Sequence, residues 1–272
     1  MKKALIVIIS LVIMTSLIAC SNKEDEKVDI DVSPTQAEEL QEEPTPTQEP
    51  TPTEVAEPNQ AEEVDNTDKK LVALTFDDGP NNQTTTEILD ILEEHDVVAS
   101  FFLIGKNVTE ATKPVIERQL ELGCEIANHS WSHNAMNNMK AEEIKDQIQK
   151  TNDIIYEMVG VTPAFFRPPY ILVSPEMHEN IDLPFISGIN CLDWEVTVSA
   201  KERTEGVLSK VKDGDIVLLH DFNGNKNTVD ALPDIIQGLK DDGFVMVTVS
   251  QLFELKGVDP RQDGKLWNST QD

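Results

Sequence analysis

His129 and His133 stand four residues apart in Asn128-His129-Ser130-Trp131-Ser132-His133. On one helical turn that spacing brings both imidazoles to the same side, where they can share a divalent cation. The pair alone does not separate a metal site from two surface histidines. Thr75-Phe76-Asp77-Asp78-Gly79-Pro80 adds two adjacent carboxylates. A turn rich in Asp, Gly and Pro is one account of them. The other gives them different tasks: one completes a His-His-Asp set around the cation, and its neighbour stays off the metal and accepts a proton. Three protein ligands and an open position are what a catalytic zinc site requires. Of the remaining histidines, His95 and His178 lie in polar, helix-like contexts and are expected to be surface or structural residues.

Such groups need strands to aim them. Leu71 to Phe76 is a short apolar strand that ends in the Asp-Asp-Gly-Pro turn, and Val97 to Ile104 is a second. Later strands are expected near 125–128, 164–167, 185–191, 215–220 and 244–249. Helical segments are expected near 84–95, 109–122, 140–159, 201–212 and 229–241, the first with Ile88, Ile91 and Leu92 at helical spacing. This alternation predicts an α/β fold with mainly parallel strands. Seven strands in about 185 residues suit an irregular (β/α) barrel better than a full eight-stranded one, with a doubly wound sheet as the alternative. Asp77, Asp78, His129, Arg167, Asp193 and His220 all fall at or just past the C-terminal ends of strand candidates. In parallel barrels that is the face on which catalytic groups gather.

Composition sets the surroundings. The 272 residues carry 22 Lys and Arg against 50 Asp and Glu, a net charge of −28. Phosphate binding needs positive charge, so nucleic acid is not an expected partner. Residues 1–20 have a different character: Lys2 and Lys3 precede an apolar run from Ala4, a secretory leader pattern. Its end, Leu17-Ile18-Ala19-Cys20, resembles the lipobox of bacterial lipoproteins, in which the chain is cut before the cysteine and the thiol is lipidated. An uncleaved membrane anchor is the alternative, and either places the rest of the chain outside the cytoplasm. The expected organisation is a leader over 1–19 and a lipidated Cys20 opening an acidic Pro/Thr-rich linker to residue 70. A folded domain over 71–255 and a polar tail over 256–272 complete it. The linker lacks aromatic residues and apolar periodicity, which predicts a disordered spacer. Cys124 and Cys191 have strand-like surroundings and are expected to be buried thiols, although export leaves a disulfide open.

The motifs in their order carry a family resemblance. Thr75-Phe76-Asp77-Asp78-Gly79-Pro80, His129-Ser130-Trp131-Ser132-His133, Arg167-Pro168-Pro169-Tyr170, Asp193-Trp194 and Leu218-Leu219-His220 resemble the five motifs of the polysaccharide deacetylases, the NodB homology domain of carbohydrate esterase family four. The likeness runs from about Leu71 to Leu255. Two positions depart from the pattern: Ile171 follows Tyr170 where the family has Gly, and Asn190 stands where an Asp opens the fourth motif.

The resemblance implies an irregular (β/α) barrel and a metal-dependent hydrolase that removes N-acetyl groups from a cell-wall or related polysaccharide. Asp78, His129 and His133 would hold the metal, zinc by default, with cobalt, manganese or nickel able to substitute. Asp77 would be the base and Arg167 would orient it. The Tyr170 backbone N–H would stabilise the oxyanion. His220, backed by Asp193, would be the acid. Trp194 and Leu218 would wall an acetate-sized pocket, and Trp131 would stack on a sugar or else pack in the core. The same machinery serves O-acetyl esters, as on xylan, and no residue separates the two. A silent glycan-binding lipoprotein is the non-enzymatic alternative, although such a copy is expected to lose a ligand, base or acid. Expected partners are an acetylated polysaccharide and, through Cys20, a membrane.

Overall fold

Leu71 to Phe76 are six consecutive buried residues. The computed structural model, which describes residues 69–272, explains the run: it is the centre of a sheet covered on both faces, where no position faces water. The elements in chain order are β1 (Lys70–Asp77), α1 (Thr84–Glu94), β2 (Ser100–Leu103), α2 (Lys113–Glu121), β3 (Glu125–Asn128), α3 (Ala141–Val159), α4 (Pro175–Asn180), β4 (Phe185–Ile186), β5 (Ile189–Asn190), α5 (Ala200–Leu208), β6 (Asp215–His220), α6 (Lys226–Asp241), β7 (Phe244–Met246), α7 (Val249–Lys256) and β8 (Leu266–Trp267). The main sheet has the order β3-β2-β1-β6-β5, with β7 beside the N-terminal end of β1. All of these pairings are parallel. Alternate residues of β1 serve opposite sides: Val72, Leu74 and Phe76 pack with α1 and α6, whereas Leu71 and Ala73 pack with Phe102, Ile186, Ile216 and Trp267.

The sheet curls toward closure. Phe166 bridges Asn128 on one side and Phe185 on the other, linking β3 to β4 through one residue. Beyond it β4 pairs with β8. The chain around β8 returns to the main sheet, where the Ile216 N–H donates to the Asn268 carbonyl (3.0 Å). An irregular, mainly parallel barrel results, as expected. The strand expected at 164–167 shrinks to the Phe166 bridge because Pro163, Pro168 and Pro169 flank it and prolines supply no N–H to a ladder. The strand expected at 185–191 splits into β4 and β5 at Gly188, whose φ of 121° only glycine adopts freely.

The C-terminal stretch corrects the sequence reading. Residues 256–272 are not a free polar tail. Trp267 is 1 % exposed, packs edge-on against Phe253 at 5.1 Å, and donates its indole N–H to the Pro260 carbonyl. One apolar pair in a polar stretch has no periodicity to detect, so sequence pattern could not place it in the barrel. Cys124 and Cys191 are free and buried, and burial pushes their thiols up to about 11 and about 12. The leader, Cys20 and the linker up to residue 68 lie outside the described residues.

Candidate active site

The parallel register sets Asp77, the last residue of β1, beside His220, the last of β6. Asp77 is 2 % exposed, and its Oδ1 accepts a 2.6 Å bond from Arg167 Nη1. Arg167 is itself fully buried, with its guanidinium 4.1 Å from the Phe102 ring centre. Burial works against the Asp77 charge, but Arg167, helped by His129 and His220, outweighs it and holds the carboxyl below its ordinary value. Asp77 is therefore an ionised acceptor fixed by a charge-assisted bond.

Asp78 turns away from Asp77 because its backbone is left-handed, with φ of 80°. Its Oδ1 lies 3.6 Å from His129 Nε2 and 3.4 Å from His133 Nε2. That oxygen is buried and has no hydrogen-bond partner among the described residues. The His129 Nδ1 lies 2.7 Å from the Arg167 carbonyl. A carbonyl only accepts, so Nδ1 carries a proton, which leaves Nε2 as the ring nitrogen that can ligate on the Asp78 side. Burial first, then His129, lowers the His133 pKa and favours the neutral, ligating form. An orphaned carboxylate oxygen facing two imidazole nitrogens, all three within 4.8 Å of one another, fits a divalent cation. The two histidines do not share a helical turn, contrary to expectation. They follow β3 in a loop with Ser130 at φ 67° and His133 at φ 57°. Asn128 Oδ1 accepts from the Ser130 N–H and Ser130 Oγ from the His133 N–H, which fixes the loop.

On the opposite wall, His220 Nδ1 lies 2.8 Å from Asp193 Oδ1, and Asp193 is fully buried. Asp193 Oδ2 accepts from the His220 backbone N–H and from Thr228 Oγ1. Burial works against the charged ring, but the hydrogen bond and charge of Asp193, with Asp77 and Asp78 behind it, lift His220 to about 9. This favours the imidazolium form of His220 at neutral pH.

Asp77, Asp78, His129, His133 and His220 line a cavity of about 570 Å³ together with Pro168, Tyr170, Ile171, Asn190, Trp194 and Leu218. The Trp194 ring meets His220 edge-on at 5.5 Å, and the Tyr170 ring lies 4.7 Å from His133. No backbone carbonyl of the described residues accepts the Tyr170 N–H. Tyr170 and Ile171 have φ of 60° and 58°, so the family's glycine after the tyrosine meets a left-handed backbone. A β-branched residue there stores strain on the order of 1–3 kcal/mol. Trp131 is not among the lining residues: its ring packs against Gly105, where an added Cβ would come within 2.5 Å of it. The half-buried Trp131 ring thus packs on one face and lies outside the cavity lining where a pocket role would place it. Sequence reasoning missed Asn268, which lines the cavity from the C-terminal stretch, and Asp221, which no spacing singled out.

A mainly parallel barrel whose strand ends assemble a His-His-Asp cluster, an arginine-held carboxylate and a carboxylate-backed histidine defines the class as a barrel with a hydrolase-type site and a candidate metal-binding cluster. Comparison with known proteins narrows it. The family profile described as polysaccharide deacetylase matches residues 64–182. A bifunctional xylanase/deacetylase of Pseudobutyrivibrio xylanivorans is 53 % identical over 74 % of this chain, and the chain spans 33 % of that protein's length. A peptidoglycan-N-acetylglucosamine deacetylase of Bacillus cereus is 36 % identical over 68 % of this chain and 69 % of its own length. The solved structure of a family 4 acetyl xylan esterase from Clostridium thermocellum, in complex with a cobalt ion, is 43 % identical. It covers 74 % of this chain and 98 % of its own, with a TM-score of 0.71. The chain belongs to the polysaccharide deacetylase family.

Proposed function

We propose that this chain hydrolyses acetyl groups on a polysaccharide at a divalent metal centre held by Asp78, His129 and His133. The observation that carries the proposal is the unpartnered Asp78 Oδ1 between two imidazole nitrogens, flanked by an ionised Asp77 and a protonated His220. A bound cation, zinc by default, would polarise the acetyl carbonyl and acidify a water. Cobalt, manganese or nickel suits the same donors. Asp77 takes the proton from the attacking water, and Arg167 keeps its carboxylate in place. The Tyr170 N–H donates to the developing oxyanion. His220 gives its proton to the leaving sugar amine or hydroxyl, and Asp193 holds its ring. Leu218 and Trp194 enclose the acetyl methyl.

N-acetyl groups of peptidoglycan are one substrate reading, supported by the relative from Bacillus cereus. O-acetyl groups of a neutral glycan such as xylan are the second, and a specific observation favours them. The cavity lining contains no Lys or Arg. Residues 69–272 hold 34 acids against 18 bases, so a carboxylate-bearing wall polymer meets like charge. The loops beside the cavity expose Tyr170, Leu172, Val173, Leu192, Trp194 and Val196, an apolar rim suited to uncharged sugar faces. The test is acetate release from acetylated xylan and from an N-acetylated glycan, with and without chelator. Release that chelator abolishes and zinc restores is expected; release indifferent to chelator, or none from either polymer, sinks the proposal.

The lipobox-like sequence supports a lipid anchor on Cys20 and a position outside the cytoplasm, facing the wall. The acidic Pro/Thr-rich segment would then give the domain reach from the membrane. Cys20→Ala should abolish lipidation and leave the protein unprocessed or released. A variant that fractionates and migrates like the parent rules out the anchor.

A further inference from the structure

Asp221 follows His220 directly and is fully buried, yet it is neither a member of the His-His-Asp cluster nor a lining residue of the cavity. All of its polar groups but one are engaged beneath the turn that carries the two site aspartates. Its backbone N–H donates to the Asp77 carbonyl (2.9 Å). Its carbonyl accepts from Asn81 Nδ2 (2.6 Å). Oδ2 accepts from the hydroxyl of Thr85, in the first turn of α1 (2.5 Å). That hydroxyl in turn accepts from the Asn81 N–H (3.0 Å). The carboxylate presses on Gly79 so closely that a Cβ there would lie 2.3 Å from Oδ2. Oδ1 is the exception, buried without a hydrogen-bond partner among the described residues.

The opposite side of the turn is held as well. Asn107 Nδ2 donates to the Asp78 carbonyl (2.8 Å) and the Ile104 N–H to the Gly79 carbonyl (3.0 Å). Asp78 between these clamps has a left-handed backbone, which a non-glycine residue keeps only where its surroundings impose it. Release of either clamp lets the turn relax and carries Asp78 Oδ1 away from the two imidazoles.

The geometry points to Asp221 as a positioning residue: with Thr85 as its anchor on α1, it holds the Asp77–Gly79 turn in the one conformation that aims Asp78 at the histidines. This rests on the metal centre proposed above. Partners that orient a ligand from behind are worth about 10- to 100-fold in metal affinity when removed.

The test uses the full chain and two probes, zinc binding by competition with a chromophoric chelator and the visible absorption of the cobalt-loaded protein. Asp221→Asn keeps the side-chain volume but replaces one of the two carboxylate oxygens packed between Thr85 and Gly79 with an NH2 group. It should weaken zinc binding about tenfold or more and change the cobalt band. Thr85→Val, which leaves every proposed ligand untouched, should shift both readings in the same direction by less, and Thr85→Ser should restore them. A folding role alone would lower thermal stability and leave the cobalt spectrum of the folded fraction as in the parent. Zinc affinity within twofold of the parent and an unmoved cobalt band in folded Asp221→Asn overturn the assignment. Should that variant not fold, the same result in Thr85→Val overturns it. A parent that binds neither ion sinks the metal centre itself along with this inference, whereas a binding parent with unmoved variants sinks only the inference.

Discussion

Asp78→Asn should lose metal and activity together, whereas Asp77→Asn should keep the metal and lose turnover. The two carboxylates are adjacent in sequence but do different work. Asp78 Oδ1 has no hydrogen-bond partner among the described residues and faces His129 Nε2 and His133 Nε2 at 3.6 and 3.4 Å. An amide beside two imidazoles leaves a divalent cation without an anionic ligand, so occupancy should collapse, and His133→Ala should behave alike. Asp77 instead spends Oδ1 on Arg167 at 2.6 Å. Asparagine there can still accept from the guanidinium, but it cannot take a proton from water. Loss of a general base costs about 10² to 10⁴ in rate. A second effect accompanies it, because Arg167 is fully buried and loses its counter-charge. Breaking a buried pair from one side costs roughly 3–5 kcal/mol, so Asp77→Asn should also melt earlier. The Asp77 carboxyl lies below its ordinary value of 3.8 in the folded protein. Its contribution is thus fully present above that value and lost as pH falls through the folded pKa. Metal content and acetate release on the same preparations decide the matter. Near-parental turnover in Asp77→Asn, or metal loss as complete as in Asp78→Asn, would require a different base.

Much of this arrangement was legible in the residues because it depends on strand ends. A buried parallel strand announces itself as an apolar run, and the first polar residue after it marks the rim of the barrel. Asp77 and His220 were found that way, and the register sets them side by side. The His129/His133 pair was found for a reason that did not hold. Spacing of four suggested a helix, but the two rings converge through a loop with two left-handed residues, fixed by Asn128 and Ser130. Spacing reports proximity along the chain and is blind to the dihedral angles that produce it. Trp131 shows the converse: it stands between the two histidines in sequence, but its ring turns away to cover Gly105. Asp221, Thr228 and Asn268 were invisible because each acts through a contact more than 30 residues distant in sequence, to Thr85, Asp193 and Ile216 respectively. Nothing local distinguishes them from other polar residues.

Asp193→Asn should move the alkaline limb of the pH–rate profile to lower pH. A general acid works in its protonated form, so turnover falls as pH rises through its pKa. Burial alone would make His220 more acidic than usual. The Asp193 bond and charge reverse that and, with Asp77 and Asp78 contributing, bring the ring to about 9 from an ordinary 6.5. A cation at Asp78 cancels part of the carboxylates' pull, so the limb of the loaded protein should lie between those two values. With asparagine at 193 the main opposing influence is gone and the desolvation of a largely buried ring remains, so the limb should fall toward or below 6.5. His220→Gln should remove the limb altogether and cost about 10² to 10⁴ on an acetylated sugar, whose amine or alkoxide departs poorly without a proton. An activated ester such as p-nitrophenyl acetate needs no such proton, so its loss should be far smaller. The contrast between the two substrates isolates proton donation from metal binding, since loss of the metal would depress both. An alkaline limb unmoved by Asp193→Asn, or an equal loss on both substrates in His220→Gln, would assign the acid role to another group.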